Sequence, residues 1–483
     1  MNVLVTGAAG YIGSVLVNKL LNKGYNVIGI DCLMYGGESL IGVFNHPNFK
    51  FYKADIRDID ILSPILEQVD AIVHLAALIG AVFQLVLNPF VALFLEHRDY
   101  AIIGYYTSFN SLLMPLITFS LPTYYSRNYF YLDAAERESL RNKIIVMILF
   151  FSGCMSIISV IGLWFFCNIT NVSFPFFPYA LLSIASIFFN GIYTILVVDL
   201  KLKRKAPQFF KLHIIHAIIS ASITILLVII LKWAAVGKML APALTAMFFC
   251  IYSLKKLLTK FEFDFAIFKK VIFFCWPLAI AAALNFFFSG VDRPMLERLH
   301  DEKSLGLYSI ALTITGYLSL FSNAISDTFQ PDILESIAKR QKKKTVTIIG
   351  GIICLNAIPI IIFILFASVI ISLLTFGRFT DAAPFSRILA LRNISSGIYF
   401  SISSVIIGYG WSRITLYNKL IGSVIAFIMF RLLISNFGFY GAAWGQVFSF
   451  LIMSLISMIF ILSQGRAKKL NISLKKHLYN KRI

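Results

Sequence analysis

Charged residues are scarce in this chain. Asp, Glu, Lys and Arg together make up 14% of its 483 residues, whereas a soluble domain usually carries about 25%. Acidic residues are the rarer kind, because 23 Asp and Glu stand against 43 Lys and Arg. With apolar residues at 59% and a mean hydropathy of +0.82, the composition excludes an ordinary soluble protein and indicates a polytopic membrane protein.

Cysteine is sparse as well. The six cysteines include no C-x-x-C pair, which argues against a disulfide framework and against a zinc site. We therefore predict no metal site. A secretory signal peptide is not predicted either, because the first apolar stretch is short, is interrupted by glycine and is soon followed by acidic residues.

The formal net charge of +20 raises the question of a nucleic-acid partner. The Lys and Arg residues lie in short blocks between apolar runs, which is the pattern of the positive-inside rule. We therefore predict no nucleic-acid partner. The basic blocks are instead predicted to set the membrane topology and to contact anionic membrane lipids.

Long apolar runs recur from about residue 79 onward. A bilayer core of ~30 Å needs about 20 helical residues, and the runs are of that order. We predict twelve transmembrane helices, at 72–95, 101–125, 144–167, 174–199, 212–231, 234–253, 271–290, 304–329, 346–376, 384–408, 413–434 and 439–462.

Basic residues are concentrated in every second loop and in the tail. The basic segments are 127–143, 201–211, 255–270, 339–344 and 466–482. By contrast, the loops N-I-T-N-V-S and S-N-F-G, after the third and eleventh spans, contain no Lys or Arg. This alternation predicts a multi-pass protein of the cytoplasmic (inner) membrane with both termini in the cytoplasm.

The first 31 residues have a different pattern. A β-rich run is followed by Gly7, Gly10 and Gly13, then by a helical pattern and a second strand that ends at Asp31. Such glycines allow a tight turn and close approach of the backbone to a diphosphate, which the following helix N-terminus stabilises. In dinucleotide sites, an acid about 20 residues after the glycines binds a ribose hydroxyl, and Asp31 stands near that position.

The segments T-G-A-A-G-Y-I-G, A-D-I-R-D and H-L-A-A, in residues 6–77, resemble the extended short-chain dehydrogenase/reductases, which include nucleotide-sugar epimerases and dehydratases. The resemblance implies a truncated, Rossmann-like fragment over residues 1–75. It also implies NAD binding by Gly7, Gly10, Tyr11, Ile12, Gly13, Asp31, Asp55, Ile56, Leu75 and Ala76.

The catalytic half of such an enzyme is not evident. The family uses a later Tyr-x-x-x-Lys as its acid/base pair, and here that pattern occurs once, at Tyr252 and Lys256, between predicted spans. We therefore predict that the chain is not an enzyme. NAD remains possible at the fragment, whereas transport needs no cofactor.

The stretch from Val69 to Leu95 is open to two interpretations. Its first part fits a fourth strand, and its second part fits a membrane helix interrupted by Pro89. A helix that began only at Ile79 would be about 25 Å long, near the lower limit for spanning. We predict that the helix takes residues from about Leu75 and that the fourth strand is shortened or lost.

An internal repeat points to two lobes. G-Y-Y-T at 104–107 opens the second span, and G-L-Y-S at 306–309 opens the eighth, 202 residues later. A six-span offset predicts two lobes of six helices, at 76–260 and 261–465, with a basic tail at 466–483. The predicted fold is thus mostly α-helical, with about twelve transmembrane helices, preceded by a partial Rossmann-like α/β fragment.

Residues 79–465 resemble the polysaccharide-biosynthesis flippases, the O-antigen type of lipid-linked oligosaccharide transporter. Pro277, Asp292, Arg293, Gly306 and Tyr308 match that pattern. The resemblance implies that the protein flips an undecaprenyl-diphosphate-linked oligosaccharide by alternating access, in surface polysaccharide or lipopolysaccharide synthesis. Partners would be a polysaccharide polymerase and glycosyltransferases of the same pathway. Two alternatives are a membrane-anchored NAD-dependent epimerase or dehydratase and a small-molecule exporter of the same superfamily.

Ionisable groups within spans are costly and need an explanation. Arg392 is predicted to bind the diphosphate or to pair with an acid or a carbonyl. Arg387, one turn nearer the outer face, is predicted to do the same or to extend to the interface. Asp292 and Arg293 fit a substrate site or a local pair. Arg127 and Asp327 fit gating or interfacial anchoring.

Overall fold

The structure of the chain is a computed structural model. It describes residues 2–9, 11–31, 33, 38–54, 64, 71–74, 79–203, 206–409 and 412–480. The chain divides into two compact units, one of residues 1–83 with 205–217 and one of residues 84–204 with 218–483. Each unit is described by itself.

The first unit contains a parallel four-stranded sheet. Its strands are β1 (Asn2–Thr6), β2 (Asn26–Asp31), β3 (Phe49–Lys53) and β4 (Ala71–His74), in the spatial order β3-β2-β1-β4. The register aligns Val3 with Val27 and with Ala71. Helix α1 (Tyr11–Asn22) connects β1 to β2, so the unit begins with the β-α-β arrangement that the glycine pattern predicts.

Alternate side chains of the strands are buried on opposite faces of this sheet. One apolar cluster includes Val3, Val5 and Val27 together with Val17 of α1. The other consists of Leu4, Ile28, Ile30 and Ala54. Both faces are apolar, as in other parallel sheets.

Sixteen further α-helices follow among the described residues. They are α2 (Ile79–Ala92), α3 (His97–Ser108), α4 (Asn110–Thr118), α5 (Leu121–Asn128), α6 (Ala134–Met147), α7 (Gly153–Thr170), α8 (Tyr179–Leu202), α9 (Ala206–Thr224), α10 (Ala234–Leu257), α11 (Phe265–Ala283), α12 (Phe286–Ser289), α13 (Asp292–Glu297), α14 (Glu302–Ala338), α15 (Lys342–Thr375), α16 (Ala383–Gly408) and α17 (Ser412–Asn480). Short π segments, Ile148–Ser152 and Ile225–Ile230, continue α6 into α7 and extend α9.

Within the described residues, eight helical segments are long and apolar enough to cross a membrane. They account for nine of the twelve predicted spans, because the segment Leu416–Ile461 contains the last two. Its helix α17 is interrupted at Gly438, where φ is 53° and ψ is −129°. The protein is therefore a polytopic, mostly helical membrane protein, as predicted.

The second predicted span is broken into shorter helices. Phe119 and Ser120, with φ of 48° and 52°, adopt the left-handed conformation and separate α4 from α5. Left-handed backbone ends a helix because its carbonyls no longer point along the axis. The tenth predicted span is one helix, α16, but it is more polar, since it contains Arg387, Arg392 and several serines.

The first predicted span differs most from expectation. Residues 72–74, predicted to be helical, lie in β4, which pairs with β1, so the start at residue 72 is wrong. Helix α2 has 14 residues and is about 21 Å long, shorter than a bilayer core. Residues 75–78, where the helix was predicted to begin, lie outside the described residues.

Polar contacts join the segments predicted to face the cytoplasm. Arg141 of α6 donates from Nε to the Leu257 carbonyl at the end of α10, at 3.1 Å. Lys143 of α6 lies 3.6 Å from Asp264, which caps α11. These contacts bring two of the predicted basic loops to the same end of the second unit.

Candidate substrate cavity

Two related helices, α3 and α14, pack closely because each has a glycine at the contact. A Cβ atom at Gly104 would overlap the side chain of Ser309, and one at Gly306 would overlap the backbone of His97. These glycines are the equivalent residues of the predicted repeat. The repeat therefore corresponds to a direct contact between the second and eighth predicted spans.

A cavity of about 210 Å³ opens beside this contact. Helices α3, α13, α14 and α16 contribute its walls, which consist of Tyr100, Ile103, Gly104, Thr107, Arg293, Ser309, Leu312, Thr313 and Arg392. Two of the predicted transport residues, Arg293 and Arg392, thus line the same cavity. The cavity is smaller than the ~300–1,000 Å³ of typical ligand sites.

Asp292 connects three elements, α13, α14 and α17, behind the cavity wall. The carboxylate is fully buried. Its Oδ2 accepts hydrogen bonds from the Tyr308 hydroxyl at 2.6 Å and from Gln446 Nε2 at 2.8 Å. Its Oδ1 lies 3.4 Å from Arg293 Nε. One carboxylate therefore pairs with Arg293 and is held by α14 and α17.

The guanidinium of Arg293 is also held by a backbone carbonyl. Its Nη2 donates to the Ser289 carbonyl at 2.5 Å, and its side chain is only 14% exposed. These bonds orient the guanidinium at the cavity while Asp292 compensates its charge. Arg293 therefore fits both predicted roles, because it pairs with Asp292 and also lines the cavity.

Arg392 is the cation of this cavity that makes no direct ion pair. Among the described residues, its guanidinium makes no hydrogen bond and no ion pair within 4.0 Å. Its Cζ lies 5.7 Å from the centre of the Phe450 ring, a cation–π contact. With Arg293, Arg392 and the single carboxylate of Asp292, the cavity has one formal positive charge in excess.

The other predicted transport residues lie elsewhere. Arg387 is exposed and donates from Nη2 to Ser368 Oγ at 3.1 Å. Arg127 is exposed, with its Cζ 4.6 Å from the centre of the Phe274 ring. The side chain of Asp327 lies outside the described residues. Neither Arg387 nor Arg127 lines the cavity.

Two polar contacts were missed by sequence reasoning. Gln446 is a lone amide within the apolar twelfth predicted span, and it bonds Asp292 154 residues earlier in the chain. Lys419, in the eleventh predicted span, donates from Nζ to the Ala281 carbonyl at 3.1 Å, near the end of α11. An isolated polar residue in an apolar run is the signal that could have identified both.

A second cavity, of about 470 Å³, lies at the N-terminal ends of α3 and α14. Glu96, His97, Arg98, Glu302, Lys303 and Arg378 line it. Arg98 Nε is 3.5 Å from Glu302, and Arg378 Nη1 donates to the Ala92 carbonyl at 2.9 Å. Burial, then the charges of Lys303 and Arg378, hold the pKa of His97 below its usual value.

The glycine turn of the first unit brings two backbone segments close together. Gly7 has φ of +73°, and a Cβ atom at Gly13 would overlap the Gly7 carbonyl. Asp31 Oδ2 accepts a hydrogen bond from the Ala9 amide at 2.9 Å, so the acid is held beside the turn. Gly10, Asp55, Ile56, Leu75 and Ala76, and the side chains of Tyr11 and Ile12, lie outside the described residues.

Two further features bear on the predicted chemistry. Tyr252 and Lys256 lie near the end of α10, one of the candidate membrane spans, with Nζ and the hydroxyl 3.3 Å apart. Their surroundings are therefore those of a membrane helix. Among the residues the structure describes, no group of three or more His, Cys, Asp or Glu is arranged to hold a metal ion.

The long apolar helices define a polytopic membrane protein, which contains a cationic cavity. The fold is similar to that of an inward-facing multidrug resistance MATE family transporter of the MOP superfamily. The TM-score is 0.57 at 12% identity, over 81% of this chain and 96% of that one. It is also similar to the lipid II flippase MurJ, with a TM-score of 0.57 at 15% identity, over 79% of this chain and 86% of that one.

The sequence identifies the family. The profile of the polysaccharide biosynthesis protein family matches residues 70–333, more than half of the chain, and the chain belongs to that family. The profile of the NAD dependent epimerase/dehydratase family matches residues 3–91. There, 82 residues are 48% identical to the UDP-glucose 4-epimerase of Mycolicibacterium smegmatis, which is 17% of this chain and 26% of that enzyme. The chain thus spans about a quarter of that relative's length.

Proposed function

We propose that this protein flips a diphosphate-linked lipid oligosaccharide across the cytoplasmic membrane by alternating access. The observation that carries the proposal is the cavity in which Arg392 lies without an acid partner beside the compensated Arg293. An uncompensated charge inside a membrane protein costs several kcal/mol. An anionic ligand would offset that cost.

A diphosphate fits the cations of this cavity. Guanidinium groups bind phosphate oxygens through two parallel hydrogen bonds, and Arg293 and Arg392 approach the cavity from different helices. The cavity borders α3 and α14, the repeat-related helices, so relative movement of the lobes 76–260 and 261–465 would change access to it. The family's role in polysaccharide biosynthesis supports a glycan as the remainder of the substrate.

The orientation and the pathway belong to the same proposal. With the basic loops inside, both termini lie in the cytoplasm and the substrate moves from the inner to the outer leaflet. An O-antigen or another lipopolysaccharide glycan on undecaprenyl diphosphate is the proposed cargo. Glycosyltransferases would supply it, and a polymerase would receive it.

The test is complementation of a host strain from which the gene has been deleted. We expect the wild-type chain to restore surface polysaccharide. Arg392→Gln should reduce it about 100-fold, because loss of a charged contact to a phosphate costs about 2–5 kcal/mol. Lipid-linked oligosaccharide should then accumulate in the inner leaflet. The accumulation is measured in spheroplasts as the fraction of lipid-linked oligosaccharide that added glycosidase does not cleave.

Arg387→Gln is the matched control, because it removes the same charge from the same helix outside the cavity. It should export normally. Equal export by the Arg392 and Arg387 variants would contradict the proposal. Intact surface glycan with increased drug sensitivity in the deletion strain would instead favour the small-molecule exporter.

A second activity, NAD binding by the first unit, is supported by the glycine turn alone. Gly7 and Gly13 provide the close backbone approach that a diphosphate requires, and Asp31 stands where a ribose hydroxyl would bind. Calorimetric titration of the full chain with NAD tests this activity, and Asp31→Ala should abolish any heat of binding. We assign no epimerase or dehydratase reaction.

A further inference from the structure

Three of the residues that line the cationic cavity have aliphatic hydroxyl groups: Thr107, Ser309 and Thr313. Two of them donate hydrogen bonds to their own helices. Thr107 Oγ1 donates to the Ile103 carbonyl at 2.6 Å, and Thr313 Oγ1 donates to the Ser309 carbonyl at 2.9 Å. These two hydroxyl protons are therefore already used by the protein.

Ser309 differs from its neighbours. Its side chain is only 5% exposed, and among the described residues its Oγ has no hydrogen-bond partner. Thr107 and Ser309 are equivalent in the 202-residue repeat, and so are Ile103 and Leu305. The bond from Thr107 to Ile103 thus has a counterpart, from Ser309 to Leu305, that is not made.

A buried hydroxyl without a partner costs about 1–3 kcal/mol, so this position needs an explanation. Close contact with Gly104 accommodates the side chain but supplies no acceptor. The cavity that Ser309 lines also contains the guanidinium groups of Arg293 and Arg392. An acceptor bound there would satisfy the hydroxyl and the unpaired cation together.

We infer that Ser309 is a phosphate-binding residue, whose hydroxyl donates to an anionic oxygen of the diphosphate held by the two arginines. The inference rests on the proposed function and assigns to the site a neutral donor in addition to its cations. Ser309 thereby favours a phosphate ligand over an apolar one, because only the phosphate accepts its hydrogen bond.

The test measures binding of farnesyl diphosphate to the purified full-length protein in detergent, by isothermal titration calorimetry. Hydrogen bonds to charged groups contribute about 1.5–3 kcal/mol, which corresponds to roughly tenfold or more in affinity. We expect Ser309→Ala to weaken binding at least tenfold.

Ser253→Ala is the matched control, because Ser253 is buried in α10 and donates to the Phe249 carbonyl at 2.6 Å. It should bind as the wild type does. The melting temperature of the ligand-free protein should not fall in Ser309→Ala, since no hydrogen bond within the protein is lost, whereas a purely structural role would lower it. The rise in melting temperature on addition of farnesyl diphosphate should be smaller in Ser309→Ala than in the wild type.

The outcomes separate this inference from the proposed function. Wild-type affinity in Ser309→Ala together with weak binding in Arg392→Gln would overturn the role of Ser309 and leave the cavity assignment standing. An equal loss for farnesol, which lacks phosphate, would also overturn it. Wild-type affinity in Arg392→Gln, or no saturable binding by the wild-type chain, would contradict the proposed function and the inference together.

Discussion

The two units of this chain differ in how completely each one makes a site. The first contains the sharper sequence motif, a glycine turn followed by Asp31, and it corresponds to about a quarter of the enzyme it matches. The second has diffuse motifs, yet it brings together Arg293, Arg392 and Asp292 around one cavity. A sharp sequence motif therefore does not show which unit has the more complete site. A motif reflects local backbone geometry, whereas a site is formed by residues from distant parts of the chain.

The units also differ in what their polar groups do. In the sheet unit, Asp31 accepts two backbone amides, from Ala9 and Leu33. In the helical unit, buried Asp292 is bonded from three directions, while the Ser309 hydroxyl and the Arg392 guanidinium have no hydrogen-bond partner among the described residues. A buried polar group without such a partner calls for an explanation.

The largest effect in the helical unit is expected from Asp292→Ala. The substitution leaves Arg293 buried without its acid and removes the acceptor of Tyr308 and Gln446. Removal of one partner of a buried pair costs about 3–5 kcal/mol. We expect a marked drop in melting temperature, measured in detergent by intrinsic fluorescence.

Asp31→Ala is the comparison from the sheet unit, and its acid is only partly buried. It should leave the main melting transition of the helical unit unchanged. If Asp292→Ala melted at the wild-type temperature, Asp292 would not be the structural centre described above.

The glycines allow the same substitution to be compared in both units. Gly13→Ala and Gly104→Ala each create an overlap, with the Gly7 carbonyl and with the Ser309 side chain. Gly104→Ala should reduce polysaccharide export about tenfold or more, because α3 and α14 must separate to accommodate the methyl group. Gly13→Ala should abolish any NAD binding and leave export unchanged.

Deletion of residues 2–70 extends the same comparison. Export should be retained if transport depends on the helical unit alone. Loss of export in both the deletion and Gly13→Ala would mean that the nucleotide-type turn takes part in transport, and the division between the units would then need revision.

Sequence reasoning predicted the parts of the fold that depend on local pattern. Apolar runs of helical length gave nine spans that qualify as membrane helices, and the glycine turn gave the β-α-β start of the sheet. The break at Phe119 and Ser120 was not predicted, because a left-handed conformation in residues other than glycine depends on packing from outside the segment. Residues 72–74, predicted to be helical, instead pair with β1, and this pairing with a distant strand is not a local property of the segment.

The candidate site was predictable in part for the same reason. Arg392 was identified because charge inside an apolar run is costly wherever it occurs, and Arg293 was identified because it matches the pattern of the flippase family. Arg387 has the same local signal but lies exposed beside Ser368, and only the fold separates these arginines. Gln446 and Ser309 matter through partners made or missing across the helices, which spacing along the chain does not reveal.

The smallest effect on the melting temperature is expected from substitution of Asp264, which connects α6 and α11 at the predicted inner surface. Its Oδ1 accepts the Ala266 and Ile267 amides at the start of α11, and Oδ2 lies 3.6 Å from Lys143 of α6. The hydrogen bond from Ile267, then that from Ala266 and the charge of Lys143, hold the pKa of this carboxyl below its usual value. A lowered pKa in the folded state means that the ionised carboxylate stabilises the fold.

That contribution should be complete above the pKa of an unfolded Asp, about 3.9, and should be lost as the pH falls through the lower pKa of the folded state. Asp264→Asn keeps a good helix cap and removes only the charge. We expect its melting temperature to lie slightly below that of the wild type at pH 7, and the difference to vanish only once the pH lies below the lowered pKa of the folded state. A difference that stayed constant with pH would assign the effect to geometry rather than to charge, because a neutral contact does not titrate.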